Sequence, residues 1–168
     1  MKHEEKVKFK AWGDADVLLD IGGDQFDKNQ IMPEHTNAYN FAVENQEGIK
    51  NKILEFVFNF LQNDREGFLE IFGYSADDGK NGYDEMFPEI HSMQELEKLI
   101  KLDALYILNV HHSGIAYTGY SFNCQWDEEH GLGVLAYKDR IADIGQGDIS
   151  FANDLAEDDL RKNYREGK

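Results

Sequence analysis

Four β-rich runs follow one another in the second half of the chain with little more than a turn between them, and this spacing narrows the fold most. The runs cover residues 102–110, 116–126, 131–137 and 140–145. In the longest, Tyr120, Phe122, Cys124 and Trp126 fall on one face, and Gly119, Ser121, Asn123 and Gln125 on the other, the period of a pleated strand. In the first, Tyr106, Leu108 and Val110 alternate against Ile107 and Asn109. His111-His112-Ser113-Gly114 and Lys138-Asp139 supply turn chemistry between runs. Parallel neighbours need a crossover of a dozen or more residues, which these connections lack. The spacing predicts a four-strand antiparallel meander.

The first half adds a hairpin and helices. Residues 7–11 alternate apolar and charged side chains, 14–16 read as a turn, and 17–21 as the returning strand. Pro33 suits the first turn of a helix, with Glu34 beside it and Ala38, Phe41 and Ala42 at helical spacing. Asn45-Gln46-Glu47-Gly48 marks a break. A second helix over 47–62 carries Ile49, Ile53, Phe56 and Phe60, widened by Leu54, Val57 and Leu61. Residues 68–72 fit either a short strand or a helical turn. The loop at 75–82 contains D-D-G-K-N-G, yet the position that closes a calcium loop falls on Pro88, so it is read as a plain loop. Ser92 and Glu95 form a capping box before a short helix whose buried stripe is expected to be Met93, Leu96, Leu99 and Ile100. The expected architecture is a single α+β domain over 1–152. Its antiparallel sheet, N-terminal hairpin plus C-terminal four-strand meander, packs against two to three helices. Residues 153–168 are expected to be a charged C-terminal tail or frayed helix, weakly anchored by Leu155, Leu160 and Tyr164.

Charge and cysteine content set the functional classes. The 168 residues carry 33 acidic against 17 basic side chains, a formal charge of −16. A field of that sign repels phosphate backbones and anionic lipid, so neither nucleic acid nor membrane is expected as a partner; a basic protein is. The single cysteine, Cys124, rules out an intramolecular disulfide. With no signal-like start and no run of 18 apolar residues, a cytoplasmic location is the expectation.

Chemistry concentrates in Trp126-Asp127-Glu128-Glu129-His130-Gly131-Leu132-Gly133-Val134. As a structural turn, Trp126 would be buried, Asp127 would accept backbone N–H groups, and His130 would bond across the turn. Gly131 and Gly133 would then permit positive φ or close approach. As a metal site, Asp127 and His130 would need His111 or His112 brought alongside by the meander, a set matching no zinc spacing. As a hydrolytic site, Glu128 or Glu129 would act as base with His130 as acid. Cys124 alternates inward with Phe122 and Trp126, the pattern of a core thiol. There is no phosphate-cradling glycine loop, nucleophile elbow or dinucleotide fingerprint, so no cofactor is expected.

Met86-Phe87-Pro88-Glu89-Ile90, the run G-Y-S-F-N-C-Q-W-D-E-E-H-G-L-G-V, R-I-A-D-I-G-Q-G-D-I-S-F and the P-E-H segment at Pro33 together resemble a bacterial family of uncharacterised domains. The resemblance covers roughly residues 5–151. It departs from the family pattern at Gly147, where alanine is expected before Asp148, and the chain after Phe151 reads as an extension. What the resemblance implies is a small bacterial domain of unknown function, with immunity against secreted toxins as one suggested role and no catalytic residues to carry over. The leading expectation is a non-enzymatic interaction protein, an immunity protein binding a basic toxin. The alternatives are a metal-dependent or hydrolytic enzyme at the Asp127–His130 turn, and an oligomeric module pairing through a sheet edge.

Overall fold

The computed structural model describes residues 4–22, 30–74 and 87–165. The hairpin is β1 (Glu4–Phe9) and β2 (Ala15–Gly22), with a 3-10 turn (Lys10–Trp12) between them. Helices α1 (Pro33–Glu44), α2 (Gln46–Asn63), α3 (Arg65–Ile71) and α4 (Met93–Leu99) follow. Strands β3 (Ile100–His112), β4 (Ile115–Cys124), β5 (Asp127–Tyr137) and β6 (Arg140–Gln146) form the meander, and a 3-10 segment (Gly147–Phe151) leads into α5 (Asn153–Leu160). The loop at 75–82 lies outside the described residues. No described helix is long and apolar enough to cross a membrane.

One six-stranded sheet, in the order β1-β2-β3-β4-β5-β6, unites hairpin and meander. Four of its pairings are antiparallel, as the short turns require. The join is parallel: Leu18 pairs with Ala104 and Ile21 with Ile107. The long excursion through α1–α4 makes that possible, because a crossover of that length can return the chain in the same direction.

The first face of the sheet carries the main core. Val17, Leu19, Leu105, Tyr120, Phe122, Leu132 and Val134 pack there against Ala38 and Ala42 of α1, Ile49, Ile53, Leu54, Val57 and Leu61 of α2, and Phe68 of α3. Two parts of the expected helical stripes fall outside this core. Phe56 is 41% exposed and Met93 38%, because each lies at the far margin of an apolar arc wider than the sheet contact. Residues 68–72 resolve as the end of α3 and its C-cap. The Ser92 cap is present: its Oγ accepts from Glu95 N at 3.1 Å, and Glu95 Oε2 accepts from His91 N at 2.8 Å. Gln46 and Lys50 tie α2 to the hairpin, as Gln46 Oε1 accepts from Ala11 N at 2.9 Å and Lys50 Nζ donates to Ala11 O at 2.8 Å.

The second face is covered by the C-terminal segment. Leu108, Val110, Tyr117, Leu135 and Tyr137 form a smaller core with Ala156 and Leu160. Within what reads in sequence as a tail or frayed helix, Asn153–Leu160 is therefore a docked helix. Buried Asn153 fixes its start, donating to Gly22 O at 3.0 Å and accepting from Asn109 N at 2.9 Å. Asp159 fixes its end, accepting from Tyr117 OH at 2.7 Å and from both terminal nitrogens of Arg140 at 3.1 and 2.5 Å. Charge density hid this helix, since its buried side is carried by one asparagine, one alanine and one leucine.

Between strands and α5, the 3-10 segment lies directly on the sheet. Its approach depends on missing side chains: a Cβ on Gly119 would stand 1.5 Å from Ser150 O, and one on Gly133 would stand 3.0 Å from Gly147 O. Ser150 is fully buried in this crossing and donates from Oγ to Gly147 O at 2.5 Å.

Candidate functional site

Gln125 and Trp126 make the tight turn between β4 and β5, and Cys124 pairs across it with Asp127. The next pair is Phe122 with Leu132, so Glu128, Glu129, His130 and Gly131 together oppose Asn123. The cluster is thus a wide bulge on the first residues of β5 rather than the turn itself. Gly131 carries it back into register at φ 71°, and a Cβ there would stand 2.3 Å from Phe122 O.

Asp127 organises the bulge. Its Oδ1 accepts from His130 N at 3.0 Å and lies 3.0 Å from His130 Nδ1; its Oδ2 accepts from Gln146 Nε2 at 3.1 Å. The carboxylate is 11% exposed and the imidazole 52%, so the acid is the half-buried post and the histidine leans on it. Glu128 and Glu129 are exposed. Trp126 is buried among Phe68, Phe72 and Phe87, with ring centroids 5.3–6.0 Å away. Its carbonyl accepts from Tyr74 OH at 2.5 Å. Burial first, then the nearby Asp127 carboxylate and Cys124, push the Tyr74 phenol above its usual range.

Of the two options the sequence left for Gly133, the structure shows close approach, and what it admits is backbone, the carbonyl of Gln146. The metal set is not assembled. His112 pairs with Ile115, His111 with Ala116, and Asp127 with Cys124 at the opposite end of β4, roughly 30 Å away at strand rise. The His112 ring instead stacks on Tyr164 at 4.3 Å. Among the described residues no group of three histidine, cysteine or acidic side chains is arranged to hold a metal. Nor does the bulge join a glutamate to His130 as a base–acid pair, since the contact His130 makes is with Asp127. Sequence reasoning missed Gln146, whose role depends on the β5–β6 pairing, and the Asp159–Arg140–Tyr117 cluster, assembled from three elements.

Cys124 is 4% exposed, and burial pushes its thiol up to about 12. A thiol so protonated is a poor nucleophile at neutral pH. In the native protein it should resist a thiol-exchange reagent at pH 8 and react fully once denatured. Rapid native labelling would show that the β4–β5 end opens freely.

The chain belongs to the family described as Domain of unknown function (DUF6985), whose model matches residues 2–151. The matched part ends where the 3-10 segment ends, so α5 lies beyond it. Neither the curated proteins nor the solved structures compared contain a match to this chain.

Proposed function

We propose that this chain is a non-enzymatic interaction protein that binds a basic protein, and specifically a bacterial immunity protein neutralising a basic toxin. The carrying observation is the formal charge of −16 on 168 residues. Such a field favours encounter with a basic partner and disfavours nucleic acid and anionic membrane. The hydrolytic or metal-dependent alternative at the Asp127–His130 bulge has less support. Both carboxylate oxygens of Asp127 already hold hydrogen bonds within the bulge and to β6, and Cys124 is buried and protonated.

The test is co-purification with the products of neighbouring genes. A complex should form at low salt and weaken as salt rises, because screening shortens the reach of charge attraction. Recovery of no basic partner at low salt would remove the basis of this reading.

A further inference from the structure

The second face of the sheet holds a surface whose composition matches such a partner. Asp148, Ile149, Phe151, Ala152, Asp154 and Leu155 line a shallow depression of ≈ 290 Å³ beside the start of α5. Among the described residues, no lysine or arginine lines it. Asp148 and Asp154 are exposed, and neither makes an ion pair among the described residues, while Ile149, Phe151 and Leu155 are half-buried. The apolar floor continues to Tyr106, whose ring meets Phe151 edge-on at 5.3 Å. Across the strands, Asp20 stands beside Tyr106 and Glu4 beside Asp20. Burial first, then the carboxylates of Asp20, Asp103 and Glu4, raise the Tyr106 phenol above its usual range.

We propose that this acid-rimmed apolar depression is the docking surface for a basic segment of a protein partner, presenting an apolar side chain flanked by lysine or arginine. The proposal rests on the basic-partner reading above and gives it a location. A half-buried apolar centre inside a charged rim is the general anatomy of a protein interface, and the two charged residues that line this depression, Asp148 and Asp154, are both acidic. A second copy of this chain would bring another −16 against it, which argues for a partner of opposite charge.

The test uses the full chain, labelled with nitrogen-15 and titrated at low salt with two decapeptides: Leu-Phe flanked on each side by four lysines, and the same core flanked by glutamates. The lysine peptide should shift the amides of Tyr106 and of residues 148–155, and the glutamate peptide should not. The double variant Asp148→Lys and Asp154→Lys should weaken binding about tenfold or more. A control, Glu55→Lys with Glu70→Lys, changes the net charge equally on the helical face and should weaken binding by less than about threefold. All four positions are exposed, so native spectra should persist. Equal weakening by both variants, or shifts confined to another surface, overturns the docking site while leaving a basic partner in place. Binding of the glutamate peptide overturns the charge argument. No binding of the lysine peptide anywhere overturns both readings.

Discussion

Alanine at Gly119 should lower the thermal midpoint by about 6–12 °C, the loss expected from roughly 3 kcal/mol of overpacking in a domain of this size. The reason is positional. The added carbon would stand 1.5 Å from Ser150 O, 2.3 Å from Ser150 C and 2.7 Å from its Cα, all backbone atoms that no rotamer change can move. Relief requires lifting the 3-10 segment, and with it Ser150 and the start of α5. Gly48 is the natural control, because a Cβ there meets nothing within 4 Å and the residue lies inside α2. Alanine at that position should stabilise by about 0.5–1 kcal/mol. Calorimetry of the two variants separates the cases; a shift under about 2 °C for Gly119→Ala would mean that residues 147–151 do not lie against β4 at that position.

Removing Asp159 should release the C-terminal helix. Its carboxylate, 14% exposed, holds Tyr117 OH and both terminal nitrogens of Arg140. Asp159→Ala should cost about 2–3 kcal/mol, the range for charge-assisted hydrogen bonds whose partners are left behind. Faster hydrogen exchange should be confined to α5 and the rim of the smaller core. Burial alone would raise the Asp159 carboxyl, but the hydrogen bonds from Arg140 and Tyr117 outweigh it and hold the group below its usual value. The sign follows from that depression. The contribution is fully present above the unfolded value of about 3.9 and is lost as pH falls through the lower folded value. Acid should therefore loosen α5 in the parent below about pH 4, while Asp159→Ala should lack that component. Exchange in α5 that is identical in parent and variant would show that the helix is held by Ala156, Leu160 and Asn153 alone.

Which parts of this structure the sequence revealed depends on how local their causes are. Alternation placed Tyr120, Phe122 and Cys124 on one face, and all three are buried, because a strand's side-chain period is a property of the strand itself. The Ser92 cap was equally readable, since donor and acceptor lie three residues apart. The parallel β2–β3 pairing was not, because alternation assigns a strand its face and leaves its neighbour open. Asp127–His130 carries no alternation at all, and its bulge is fixed by Gln146 from β6. The closeness of Gly119 to Ser150 had no local signal either; a glycine in a strand looks the same whether it faces solvent or another backbone.

The parallel pairing of β2 with β3 also imposes an order in time. A ribosome making this chain completes β2 long before its partner exists, because the chain must run on from Leu18 to Ala104. At about 5–20 residues per second that wait is roughly 4–17 s. During it the inner edge of the hairpin has open N–H and C=O groups with Val17, Leu19 and Ile21 on its apolar side. The meander, built from adjacent strands, should close quickly once emitted, with the hairpin as its last strand pair to dock. In the growing chain this early-made edge is open to premature pairing with another molecule.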